Sequence, residues 1–474
     1  MPISARESGQ RARADSADDL PCPDAAASNQ QKDEDLVVAG SSTDVPFAFG
    51  QIRLPDGNGL RYLNHVNWRP HWTWFVILIC LGGSATAHAQ IDPEKRRLFQ
   101  FGYNQPLQGR GPLAGYAYYY YNQPEFIQTN LTLRLAIAPV YVDSELGIRN
   151  ALSPNTDLAI GLAGGGFADS YWEIRGGNYL REESFTGHGA EAGVSLYHRF
   201  NPDQQIPLNV ILRGFAHYTF YEADNHTAPG FMLPPDHATL HVRTGLRWGG
   251  REPLMLPTLA MELSAWYDGQ YRAEEGPYGF NGDRDLRANS HLFWARALLA
   301  YTLPELKHYF SVSLTAGTSL KTDRLSAYRI GGALPLVSEF PLTLPGYYFQ
   351  ELTADRFALF SGQYALPLDR SKRLGLMLSA ATAVVDYLPG LEQPGRWNSG
   401  VGAGVVFRSK SEAWQVMLGY AYGIDAIRNS GRGAHSVGIL IQYDLEADRR
   451  GKRPFWDPWL NPSKWRGFDW LFGR

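Results

Sequence analysis

From about residue 96 onward the chain alternates apolar and polar residues. In 308–320 the even positions read Phe310, Val312, Leu314, Ala316, Thr318 and Leu320, and the odd ones Ser311, Ser313, Thr315, Gly317 and Ser319. A period of two belongs to a strand with one apolar and one polar face, and a helix would smear it. The same pattern sets Trp414, Val416, Leu418, Tyr420, Tyr422 and Ile424 against Gln415, Gly419, Gly423 and Asp425. It sets Leu240, Val242, Leu246 and Trp248 against His241, Arg243 and Arg247, and it recurs over 435–445. These runs extend over about ten to fourteen residues, where soluble sheets use about five or six. Their apolar faces tend to begin or end in Tyr, Trp or Phe, as membrane-interface girdles require. Their polar faces carry Gly, Ser and charges, which suits a wet lumen. A closed barrel is the β-structure that leaves no backbone group unpaired in lipid.

The pattern therefore predicts an all-β protein, a transmembrane antiparallel β-barrel. Strands are expected at 96–105, 112–122, 130–148, 157–168, 170–180, 188–200, 206–222, 236–249, 257–271, 287–302 and 308–320. After an interruption at 321–351, five more are expected at 354–368, 373–387, 396–409, 412–425 and 435–446. That makes sixteen, an even number as bacterial barrels have. The stretch 130–148 can also be read as two strands, and 170–180 as a loop. Short links such as Asp369-Arg370-Ser371-Lys372 read as periplasmic turns. Longer ones such as 272–286 and 426–434 read as outer loops, with both chain termini periplasmic.

The residues ahead of the barrel suggest export. Trp72–Leu81 is an apolar run too short to span a bilayer but suited to a signal-peptide core. Ala87-His88-Ala89 supplies the small-x-small pattern for cleavage before Gln90. Residues 1–65 are polar and without period, and are expected to be an untranslated or disordered extension. The expected organisation is thus 1–65 extension, 66–89 signal peptide, 90–446 barrel and 447–474 a basic, Trp-rich periplasmic tail. The only two cysteines, Cys22 and Cys80, precede Gln90, so the mature chain has no disulfide framework. A net charge of -3 gives no reason to invoke nucleic acid.

The interruption at 321–351 does not alternate, and it contains Arg329-Ile330-Gly331-Gly332 and Leu344-Pro345-Gly346-Tyr347. Gly331-Gly332 permits close backbone approach, and Pro345-Gly346 encodes a type II turn with Gly346 at positive φ. Gly317, on a polar strand face, needs no unusual angle, so its substitution is expected to be milder than that of Gly346.

With these motifs the chain resembles the BamA/TamA outer-membrane assembly superfamily, the bacterial surface antigen barrels. That resemblance implies sixteen strands and a loop after the eleventh that folds back into the lumen with a Gly-Gly approach and an Arg-Gly-aromatic tip. Here Pro345 stands where the family carries the tip arginine that ion-pairs with an acidic lumen residue. Tyr347 or Arg329 is expected to serve docking instead. About six residues separate Gln90 from the first strand, which implies a short form without POTRA domains. By the same resemblance the expected role is assembly, insertion or translocation of proteins or lipids at the bacterial outer membrane. Outer-membrane lipids, the barrel assembly machinery and client outer-membrane proteins are the implied partners. A passive, porin-like or structural barrel is the alternative.

Arg213, Arg243, Arg247, Glu262 and Asp268 are expected on the lumen face, along with Arg134, Glu191, Arg199, His217 and His241. His217, His237 and His241 lack a carboxylate or cysteine at ligand spacing, so no metal and no cofactor is expected. An outer-membrane lipase would need a His-x-Ser pair on one strand face. None occurs, His435 and Ser436 being adjacent, and a Gly-x-Ser-x-Gly elbow is absent too, so no enzyme is expected. The last strand carries Gly438, Tyr443 and Leu445 in the pattern by which barrels are recognised for insertion.

Overall fold

Sixteen strands pair neighbour to neighbour into a closed antiparallel ring. The structure, a computed structural model, describes residues 94–450 apart from 203–205, 251–253, 333, 335–337 and 430. The ring runs β1 (Arg96–Pro106), β2 (Ala114–Pro124), β3 (Leu131–Ile137), β4 (Tyr141–Ser153), β5 (Thr156–Gly165), β7 (Asn178–Arg199), β8 (Leu208–Glu222) and β10 (His237–Gly250). It continues through β11 (Leu259–Arg272), β14 (Asn289–Thr302), β15 (Tyr309–Leu320), β17 (Leu352–Pro367), β18 (Leu374–Tyr387), β19 (Trp397–Arg408), β20 (Trp414–Arg428) and β21 (Gly431–Asp444). β1 pairs back onto β21, from Leu98↔Asp444 to Pro106↔Ser436, and this closes the ring. Short turns join strands at the end that holds the first and last strand termini, here the near end. The long links lie at the far end, carrying β6 (Tyr171–Arg175), β9 (Phe231–Met232), β12 (Gly276–Phe280), β13 (Arg284–Leu286) and β16 (Tyr328–Ile330), although β3–β4 and β20–β21 also turn tightly there.

The ring is apolar outside and charged inside. Leu240 and Leu246 are 50% and 49% exposed, whereas Arg243 and Arg247 on the same strand are 7% and 8% exposed. Leu263, Leu314, Leu378 and Leu418 extend the outer apolar band. Exposed aromatics flank it, Trp248 and Tyr364 toward the near end and Tyr271 and Trp397 toward the far end. Such a surface would aggregate in water, and it fits a bilayer with aromatic belts at its two interfaces.

Several expected boundaries are corrected. The stretch 130–148 is two strands, β3 and β4, turning at 138–140. Residues 170–180 are outside the ring; they form the hairpin of β6 with the start of β7. These two differences offset each other, which is why the count of sixteen stands. The outer loop expected at 426–434 is instead a tight turn, because β20 and β21 pair as far as Arg428↔Gly431. Leu445 leaves the last strand and begins a short helix, α1 (Leu445–Arg450). There Leu445 and Ala447 cover the outward Tyr443, and Glu446 pairs with Arg97 at 3.3 Å. The expected extension, signal peptide with Ala87, Ala89 and Gln90, and most of the Trp-rich tail lie outside the described residues.

Candidate functional site

The segment between β15 and β17 packs on residues of the ring strands at three places. The first is its turn. Tyr347 donates its backbone N–H to the Leu344 carbonyl (3.4 Å), and Gly346 has φ 85°, which is type II geometry. The turn lies flat on a glycine floor made by Gly400 of β19 and Gly423 of β20, which are paired in register. A Cβ on Gly400 would run into the Pro345 carbonyl, and one on Gly346 into the Gly423 backbone nitrogen. Leu344 and Tyr347 are wholly buried, and the Tyr347 hydroxyl reaches Asn398 at 3.4 Å. Gly331 bridges Thr343, and Gly332 donates to the Tyr348 carbonyl (2.7 Å), so the glycine pair and the turn lie side by side.

The second place is Glu351, at the entry to β17. Its carboxylate takes both Nη atoms of Arg428, at 2.8 and 2.7 Å, and also the Tyr348 N–H at 2.7 Å. The Arg428 guanidinium stacks 3.5 Å from the Tyr348 ring centroid. Both partners are almost fully buried. A bidentate fork with an aromatic lid is the geometry in which an arginine holds a carboxylate best.

The third is Glu339-Phe340. The Glu339 carboxylate takes Arg247 at 2.6 Å and Arg213 at 3.4 Å, and its carbonyl takes Arg296 at 2.9 Å. Phe340 stands edge-on to Trp266 and Trp294, whose rings stack 5.2 Å apart. The arginines are themselves paired on the wall: Arg247 and Arg296 share Glu262, and Arg243 holds Asp268. Where the family resemblance implies a loop arginine against a wall acid, this chain has a loop acid against wall arginines.

Arg213, Arg243, Arg247, Glu262 and Asp268 thus all lie on inward faces, Arg213, Arg247 and Glu262 in one ion-pair network and Arg243 with Asp268 on the same strands. Arg329 is elsewhere, bonded to Thr353 (2.8 Å) and the Trp172 carbonyl and lying over the Tyr171 ring. His217 lies between Asp169 (2.8 Å) and Glu191 (3.4 Å), and His241 lies 3.7 Å from Asp268; among the described residues no group of three or more such side chains is arranged to hold a metal ion. Gly438 faces Gly419 on β20, and Tyr443 stacks on Trp414 at 4.5 Å.

At the far end β6, β9, β12 and β13 form a cap around Tyr171, Phe185, Phe231, Tyr278 and Leu286. Glu173 is its charged centre, held by Arg324, Arg175 (2.8 Å) and Arg284 (3.5 Å). Burial pushes its carboxyl up, but Arg324 and Arg284 outweigh burial and hold it below the usual carboxylate range. Burial and the neighbouring Glu173 push Tyr171 up to about 12. Between cap and segment lies a cavity of about 200 Å³, lined by Asp169, Trp172, His217, His241 and Gln270 among others.

Sequence reasoning passed over Glu339, Arg296, Glu351 and Arg428. It also missed the link 251–258. Met255 and Leu256 are buried, and Met255 donates its N–H to Gln442 (2.9 Å), which accepts from Gln100 as well (3.0 Å). A link that joins β10 to β11 therefore reaches the β1–β21 seam across the near end. The available signal was its composition, since Leu254-Met255-Leu256 between prolines is too apolar for a solvent turn.

An outward apolar band on a closed ring with a charged interior decides the class. The chain is a transmembrane β-barrel. This barrel matches no family model and no curated protein. It is similar to the solved structure of CdiB from Acinetobacter baumannii, at 12% identity and a TM-score of 0.48, covering 74% of this chain and 60% of that one. BamA from Haemophilus ducreyi lacking POTRA domains 1–3 is similar at 11% identity and TM-score 0.46, covering 74% and 70%. The Pseudomonas putida toluene transporter TodX is similar at 10% identity and TM-score 0.32, covering 76% and 92%. The barrel spans 60% of the length of that CdiB chain.

Proposed function

We infer that the protein is an outer-membrane barrel whose lumen is filled by its own chain, and that it assembles, inserts or translocates proteins or lipids at that membrane. The observation that carries this reading is the seating of the turn at Pro345-Gly346 on Gly400 and Gly423. The segment it belongs to is the one that gives the sequence its BamA/TamA-like character, and it follows the eleventh ring strand. A segment fixed by a glycine floor, a buried Glu351–Arg428 fork and an arginine cluster fits a filled lumen better than the open, water-filled channel of a wide pore. The near-end link through Met255 narrows the path further. The reading assigns no catalytic role, and it has both chain termini in the periplasm.

Two measurements test it. In planar bilayers the protein is expected to give small, erratic openings, and removal of 338–347 to give a large, steady conductance. A large, steady conductance from the unaltered protein would make it a porin. Photo-crosslinkers at Asn104 and Gln442 in native membranes are expected to trap polypeptide or lipid. Labelling of neither would remove the assembly reading even if the lumen proved plugged.

A further inference from the structure

The wall around Glu339-Phe340 is more of a site than its occupant needs. Arg213, Arg247 and Arg296 converge on Glu339, and Arg247 and Arg296 also share Glu262. Without Glu339 these three arginines lose an anionic partner. Behind the arginines stand two stacked indoles, Trp266 and Trp294, against which one further ring fits edge-on. The Arg296 guanidinium lies 4.5 Å over the ring that occupies this place, so the anion and aromatic subsites share a wall. The built donors are not used up. Arg247 Nε, Arg296 Nε, Trp266 Nε1 and Trp294 Nε1 are buried without a hydrogen-bond acceptor. Buried donors of that kind are costly unless something satisfies them, and four of them on the residues that hold Glu339-Phe340 point to a ligand richer in acceptors.

We propose that this pocket is a recognition site for an acidic–aromatic dipeptide in an extended client polypeptide, and that Glu339-Phe340 is a built-in competitor that occupies it at rest. An extended chain brings a carboxylate, a ring and backbone carbonyls together, which matches arginines, indoles and unused N–H donors in one place. A lipid phosphate would satisfy the arginines but leave the indole pair without a partner. The proposal rests on the assembly reading for its ligand class, and its test is separate from that one.

The probe is a fluorescent peptide carrying Ser-Glu-Phe-Pro, the sequence of residues 338–341, with Ser-Gln-Ala-Pro as control, binding to the full chain in detergent. The double variant Glu339→Gln/Phe340→Ala is expected to bind the probe roughly tenfold more tightly than the unaltered protein, and to ignore the control. Adding Arg247→Met to that variant is expected to weaken binding by roughly tenfold or more. Heat-modifiable migration on gels reports that each variant is folded, and Phe340→Ala alone replaces the double variant if that fails to fold. Equal binding before and after the competitor is removed overturns the proposal, as does indifference to Arg247. Binding of short-chain phosphatidic acid in place of the peptide, with the same arginine dependence, also overturns it. If the peptide binds as expected while crosslinking in native membranes traps nothing, the pocket stands and the assembly reading falls.

Discussion

Gly346 sits at φ 85°, where a β-branched residue is strained by roughly 1–2 kcal/mol. Space argues in the same direction, because the Gly423 backbone occupies the position its Cβ would take. Gly346→Val is therefore expected to lift the turn off its floor and raise conductance, while the sixteen strands still give a heat-modifiable band. Gly317 was expected to be the mild comparison. Its φ is ordinary, but the Phe357 and Tyr328 rings lie directly over it, so a valine there has to displace two packed aromatics. Gly317→Val should then lower the temperature at which the band converts, with conductance unchanged. Equal conductance in the two variants would deprive the turn of a special role. The positive φ of Gly346 was legible from Pro-Gly alone, since a type II turn demands it. The rings over Gly317 were not, because their residues are distant in sequence and only the fold brings them there.

Among elements, the fork between Glu351 and Arg428 joins the start of β17 to the end of β20. Removing one partner of so buried a pair leaves a stranded charge and costs roughly 3–5 kcal/mol, whereas replacing both by apolar residues is often near neutral. Glu351→Leu is thus expected to lower the band-conversion temperature sharply, and Glu351→Leu/Arg428→Met to recover most of it. A double variant as unstable as the single one would show that the fork's geometry, not its charge balance, matters. The cap yields a pH prediction. Glu173 is held below its ordinary value of 4.5, so the stability it lends is complete above that pH and is lost as pH falls through the lowered value. A spin label at the exposed Asp285 should keep constant mobility from neutral pH down to about 4.5 and loosen only below it; loosening already near neutrality would mean another group governs the cap. Strand positions were legible wherever one face is lipid-exposed, because alternation is then enforced residue by residue. They blurred at 130–180, where β3 is short and β6 forms a hairpin beyond the membrane band with no outer face to keep apolar.

At the scale of the molecule, charge placement was legible and partnership was not. Period two assigns Arg213, Arg247 and Glu262 to the inner face, but it says nothing of Glu339, which lies in a segment without period. The same holds for Met255, whose partner Gln442 lies half the ring away. The glycine floor has one more consequence, for the order of events as the barrel forms. The turn precedes its floor in the chain: Pro345 and Gly346 come before the hairpin of β19 and β20 that carries Gly400 and Gly423. Eleven strands can register against each other with the turn unseated, and its seat exists only once that hairpin has zipped. Docking is then a late step that reads out completion of the wall, and a chain stalled short of its last strands would keep its turn unseated.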